Sequence, residues 1–566
     1  MKKCIIFLSA VVLFTTACSV LPLENESEDR IIQNVNSEII LGDVIENPFS
    51  VSNLEARGLI VEDSNYIYFR CRSNNEEEVQ WLTDQFGLLT TVPIDREIEE
   101  SGTVYVDPEI PEGECPWFYF MNPKEDYELV KEKGLQLEIL DEMYVSDEDY
   151  SLITADGLEV PENADYGEMD FEDDSRGLFS KLKKLFKIYY NKPKGYVTVY
   201  DSFSKSNIPV RNVEVVSRQL LIFGFDKTNS SGKFSIPLGY TSLLGPVQMS
   251  VVFENNKTIL NGAGKWDQYL LPAYYIAGTY DVKKISKLNI NLGCNTRAAR
   301  LGTIINAYED YHAYCSAFNI EKPKYLRTWV WNNMSNCCAP LARHTVGGVV
   351  TLSGGVIASL MGSPVGAGLL SAAALSTFLP DIVIGVSDCG NDDFTEVIYK
   401  NVFHELSHAS HFFGIGDVQA QLYWMQEYVD MAGGWLELIK NGKNPANNPY
   451  AGDSDLIRLI ETWGYFNEYY AMMWKYANYT DKYDEFKDHL ENKKLNASLD
   501  NFSYSGLYRL TDKNYYQKQI SVTQLFIALK SSDVKSLSAF ARKISKITNS
   551  EEDIDLILWY VREEWI

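Results

Sequence analysis

Positive charge is scarce in this chain. Against 78 aspartates and glutamates stand only 51 lysines and arginines, a net charge of −27 over 566 residues. A nucleic-acid partner needs clustered cations along its phosphates, so that class is excluded, and the acidity reads as solubility outside the cell. Long apolar runs are short too. Thr345 to Pro380 carries no formal charge, but glycines and Pro364 interrupt it, so it reads as a buried or domain-packing segment and not a bilayer span. None of the nine cysteines sits in a C-x-x-C knuckle, and no internal repeat is present. Histidine is rarer still at six, yet His404, His408 and His411 fall within eight residues of one another.

The first residues concern location. Lys2 and Lys3, the apolar stretch from Ile5 to Phe14 and the small residues Thr15, Thr16 and Ala17 form a secretory signal, to be set aside from the fold. Cys18 follows directly. The arrangement resembles a bacterial lipobox, although Thr15 stands where that motif usually carries leucine. The resemblance implies a lipid on Cys18 and a chain anchored outside the cytoplasm to the outer membrane, with exposure at the cell surface open. Without Cys4 and Cys18, seven cysteines remain. Outside the cytoplasm they could pair; their odd number leaves at least one thiol over, and connectivity is not readable.

A chain of this length should form about three or four domains. After the acidic "SVLPLENESEDR", short β-rich runs such as "NYIYFRCR" (Asn65 to Arg72) mix with the helical pattern of Asn75 to Gly87, indicating a small α+β domain. Glu159 to Asp174 is an acidic linker, followed by a basic amphipathic helix expected over Leu178 to Tyr190. From Gly195 to about Leu292, alternating strands separated by turn residues indicate a β-sandwich. Beyond Asn295 helical periodicity dominates, with "DIVIGVSD" as a strand just before the histidines.

His404-Glu405-Leu406-Ser407-His408 spells H-E-x-x-H. A step of four residues on a helix returns to the same face one turn on, so both imidazoles can meet one zinc ion. Glu405 lies about 100° around the helix, placed to take a proton from a water that the metal acidifies. In this composition the motif has a chance expectation below about 1%. His411 does not extend it: the longer H-E-x-x-H-x-x-G-x-x-H form needs glycine at 411 and histidine where Gly414 stands, so His411 is expected behind the ligands or in a cleft wall. A catalytic zinc needs a third protein ligand. Glu427, nineteen residues after His408, has a spacing similar to the aminopeptidase branch of the gluzincins; Glu461 lies on a later helix beside Trp463 and Gly464, with Glu468 a weaker candidate. Tyr465, one turn after Glu461, is a candidate to polarise a scissile carbonyl.

Two resemblances organise these readings. "PVRNVEVVSR…GFDKTNSSGKFSIP" resembles the carboxypeptidase regulatory-like, transthyretin-like module, which implies a non-catalytic spacer or docking domain. "VFHELSHASHF" and "ETWGYF" resemble the zinc-dependent metallopeptidase lipoproteins of gut anaerobic bacteria, which favours Glu461 over Glu427 as third ligand and makes "DIVIGVSD" a sheet edge that binds extended peptide. The expected multidomain organisation is then a lipoprotein signal at 1–17, a tether at 18–32, an α+β domain at 33–155, a linker at 156–192, the β-sandwich at 193–292 and a mainly helical, zincin-like domain at 293–566. The expected function is that of an extracytoplasmic zinc metallopeptidase of gluzincin type. His404, His408 and Glu461 would bind Zn2+, Glu405 would be the general base, and peptides, proteins or glycoproteins would be substrates. The alternative is a surface binding or adhesion lipoprotein whose zincin-like domain is not catalytic.

Overall fold

The computed structural model describes residues 38–150, 167–168, 189–262, 271–332, 337–344, 380–424, 455–492 and 504–562, apart from 60, 62, 112, 113, 148, 342, 388, 417, 418, 421 and 422. The signal, the tether with Cys18, residues 345–379, Glu427 and most of the linker lie outside the described residues. The fold mixes α and β: several small sheets, then a helical C-terminal region, compatible with a multidomain α+β chain. Among the described residues no helix is long and apolar enough to cross a membrane. The chain divides into two compact units. One is built from Ile32–Asn255 and Lys265–Ile305, the other from Asn256–Gly264 and Asn306–Ile566.

In the first unit, Tyr66–Arg72 is the middle strand of an antiparallel three-stranded sheet, between Phe118–Pro123 and Gln136–Met143. Helix Glu76–Phe86 starts where the Asn75 side chain accepts the Glu78 N–H, and it stops at Gly87, whose φ of 74° suits glycine. The end of the helix expected over 178–190 is extended instead. Tyr189–Asn191 is a strand paired with Tyr240–Thr241 and with Gly167–Glu168. Tyr190 is buried there, and Pro193 disfavours helical backbone at the residue before it.

Residues 194–291 carry two four-stranded sheets. Lys233–Ser235, Lys194–Asp201, Leu288–Asn291 and Ser206–Pro209 make one. In the other, β1 (Glu214–Gln219) pairs antiparallel with β2 (Ile222–Lys227) on one side and β3 (Val247–Val252) on the other. The next strand, β4 (Thr258–Gly262), belongs to the second unit, and β5 (Tyr274–Tyr280) then pairs with β3.

In the second unit β4, β6 (Leu326–Trp331) and β7 (Ile382–Gly385) form a parallel sheet. Parallel strands are covered on both faces, which accounts for the unbroken apolar run of β7, buried at every residue. Several polar groups inside are paired: the Thr258 and Thr328 hydroxyls lie 3.1 Å apart, and Tyr308 reaches Thr328 at 2.5 Å. Asp381, just before β7, accepts from Arg343 Nε at 2.8 Å and from the Arg327 N–H at 2.9 Å. The outer edge of β7, expected to bind an extended peptide, is partnered by the chain itself. The Cys338 N–H donates to the Val383 carbonyl at 3.0 Å and the Val383 N–H to the Cys338 carbonyl at 2.8 Å.

Three helices carry or brace the candidate site residues. Helix α1 (Arg297–Phe318), whose residues from Asn306 belong to this unit, sends Tyr311 OH to Ser410 Oγ at 3.1 Å and Tyr314 OH to Asn467 Oδ1 at 2.9 Å. It thereby ties together α2 (Phe394–Ile415) and α3 (Asp455–Lys475). From Val402 to Phe413 every residue of α2 is buried, the signature of a helix packed on all sides. Helix α4 (Val522–Leu529) opens with a capping box between Ser521 and Gln524.

Candidate metal centre

The helical spacing of H-E-x-x-H brings His404 and His408 onto one face of α2, ring centroids 4.8 Å apart. Helix α3 crosses that face with Glu461. His404 Nε2 lies 3.3 Å from Glu461 Oε2, and His408 Nε2 lies 3.8 Å from Glu461 Oε1. All three residues are buried, and one ligand atom from each falls within 4.8 Å of the others. His404, His408 and Glu461 therefore form a group that could hold a metal ion. Tetrahedral ligands at about 2.0–2.1 Å from an ion sit about 3.3–3.4 Å apart, close to the shorter of these separations.

The close approach of the two helices depends on Gly464, one turn after Glu461. A Cβ there would stand 2.8 Å from His404 Cε1 and 2.9 Å from both His404 Nε2 and His408 Cε1. Glycine is thus the residue that lets α3 lie against the imidazoles. Tyr465 packs its ring edge to face on His404 at 4.7 Å. Two turns after Glu461, Glu468 sits on the far side of the same ring, its Oε2 3.3 Å from His404 Nδ1. Glu468 is therefore not a third ligand beside Glu461 but the acceptor that orients His404 from behind. A carboxylate accepting from Nδ1–H leaves Nε2 as the ligand nitrogen.

The electrostatics suit a cation. Burial works against a charged His404, but the flanking Glu461 and Glu468 outweigh it and raise its pKa well above the ordinary value. For His408 burial outweighs the Glu461 charge, and its pKa falls to about 4. Among the described residues neither ring nitrogen of His408 finds a hydrogen-bond partner, an expensive condition for a buried imidazole that a metal bond to Nε2 would relieve. Glu405, only 1% exposed, has an oxygen without a hydrogen-bond partner among the described residues. Burial, offset by His404 and reinforced by Glu461 and Glu468, pushes its carboxyl up to about 8. Orphaned nitrogen, separations and surplus carboxylate together fit a bound cation.

Cys337 and Cys338 are also near this centre. Burial, with the Glu405 charge next, pushes both thiols well above their usual range. Neither belongs to the His404, His408 and Glu461 group. His411 stands apart: it is fully buried, its Nε2–H donates to the Leu529 carbonyl at 3.2 Å, and its ring packs against Tyr423 and Trp424. Expected behind the ligands or in a cleft wall, it lies in the core. Gly414, which stands where the longer motif would have a histidine, gives room to Phe526, whose Cζ would lie 2.8 Å from a Cβ there.

The pairing of Glu468 with His404 and the clearance at Gly464 were not read from the sequence. Their signal is the spacing 461, 464, 465 and 468, one face of a helix. Comparison with protein-family models, curated proteins and solved structures finds no match for the chain.

Proposed function

We propose that the chain is a zinc-dependent peptidase acting outside the cytoplasm, anchored through Cys18. The observation that carries this reading is the convergence of His404, His408 and Glu461 within 4.8 Å, with the buried Glu405 next in sequence to the first ligand. When bound, zinc would supply Lewis acidity toward a carbonyl oxygen, acidify a water and, as a nearby positive charge, favour ionised Glu405. Glu405 takes a proton from the water that attacks the scissile carbonyl and passes it to the departing amine. Glu468 fixes the His404 ring, and Gly464 keeps α3 close enough for Glu461 to reach the imidazoles. The stretch at 193–292 fits a carboxypeptidase regulatory-like module serving as spacer or docking domain; its two sheets support that reading.

The test is hydrolysis of a mixed peptide library by the purified chain from residue 19, read by mass spectrometry, with and without chelator. Cleavage that stops on metal removal, returns with zinc and is lost in Glu405→Gln supports the proposal. Cleavage that survives both changes refutes the mechanism. A zinc-loaded chain that cleaves nothing fits the binding lipoprotein instead.

A further inference from the structure

The sheet of β1, β2, β3 and β5 has an unusual occupant on one face. Arg218 of β1 is half-buried, yet among the described residues it makes no ion pair and no hydrogen bond; the Phe223 ring lies 5.7 Å from its guanidinium carbon. Burial draws its pKa down to about 10, and the ionisable groups acting on it are Tyr68 and Tyr240, with no carboxylate among them. In a chain with 78 acidic residues, an arginine without an acid is not explained by any shortage of acids.

The strand register places two more polar groups beside it. Gln248 on β3 is directly opposite Arg218, and Ser250 is opposite Val216, two residues away on the same face. Neither side chain makes a hydrogen bond among the described residues, and both are partly exposed. Arg218, Gln248 and Ser250 all line one pocket, whose remaining wall is mostly apolar and includes Leu89, Val252, Leu271 and Ile276. Its cavity of about 50 Å³ is roughly a third of the ~150 Å³ that accepts a benzene ring. A small branched side chain fits; a sugar ring, which also needs many hydrogen bonds, does not.

We propose that this pocket binds the C-terminus of a peptide, with Arg218 holding the terminal carboxylate and a small apolar last side chain entering the chamber. A guanidinium offers two parallel donors that match a carboxylate. The Gln248 amide and the Ser250 hydroxyl supply further hydrogen bonds to the terminal residue. Capture of a C-terminal carboxylate is an established mode of peptide recognition, and here it needs no metal.

Calorimetric titration of the full chain from residue 19, carrying Glu405→Gln to prevent hydrolysis, tests the site with acetyl-Gly-Gly-Val as the free acid and as the C-terminal amide. The acid should bind at least tenfold more tightly than the amide, and Arg218→Gln should abolish the difference while leaving the melting temperature close to the parent's. Equal binding of acid and amide overturns the proposal, as does no heat from either up to about 5 mM. So does an Arg218→Gln chain that still prefers the acid. Glucuronate supplies a carboxylate without a peptide; its binding in place of the acid peptide would overturn the assigned occupant.

Discussion

Replacing Gly464 with alanine sets two effects against each other. In an unhindered helix interior the change stabilises by ~1 kcal/mol. Here the new Cβ lands 2.8–2.9 Å from His404 and His408, whereas heavy atoms prefer ~3.5–4.0 Å. The rings or the helix must therefore yield by about 0.7 Å. They have little freedom to do so. His404 is held from behind by Glu468, and α2 is buried all round at this level. Overpacking of this kind costs ~1–3 kcal/mol, so the strain should exceed the helix gain and the metal-free chain should melt at a lower temperature. Metal ligation tolerates displacements of only about 0.2 Å, so zinc affinity should fall by ~10–100-fold or more. Competition against a chromophoric chelator measures the affinity, and a thermal melt of the metal-free chain measures the strain. A Gly464→Ala chain that melts higher and binds zinc within about twofold of the parent would refute the packing argument.

Glu405→Gln should retain zinc and lose ~10²–10⁴-fold in kcat, read from peptide turnover beside metal content. Glu468→Gln, which keeps the volume and removes the charge behind His404, should weaken zinc by ~10–100-fold in the same chelator competition. His411→Phe should leave zinc affinity unchanged but cost ~1–3 kcal/mol, because the buried Leu529 carbonyl loses its donor. Burial lowers the His411 pKa from an ordinary 6.5 to about 3. The unfolded chain then takes up a proton that the folded chain refuses, so the stability lent by His411 is full above about pH 6.5 and declines as pH falls toward 3. The melting-temperature gap between parent and His411→Phe should narrow between pH 7 and pH 5; a constant or widening gap would contradict the assignment.

Local pattern carried the metal pair: H-E-x-x-H needs only helical periodicity to place both imidazoles on one face. Glu461 was reached by resemblance, since its approach to His404 depends on two helices meeting across fifty-six intervening positions. Glu468 was visible as a candidate, but whether it lies at the ligand nitrogen or behind the ring is set by the tilt of α3. Gly464 looked like an ordinary helix glycine until the opposing rings were in place. Strands tell the same story. β4 has the composition of its neighbours, and nothing in "TILNG" reveals that its partner is β6 rather than β3. The edge of β7 looked open because its partner, Cys338, contributes a single bridge and no strand pattern. Arg218 sits in an alternating run like any solvent-facing residue; its lack of an acid partner is a tertiary fact.

X-ray absorption at the zinc edge, on the zinc-loaded chain and its Glu461→Gln variant, tests the central claim most directly. The account predicts a shell of nitrogen and oxygen at about 2.0–2.2 Å with two imidazoles and no sulfur, altered when Glu461 is replaced. Sulfur at about 2.3 Å, from Cys337 or Cys338, or a spectrum indifferent to Glu461→Gln, would contradict it.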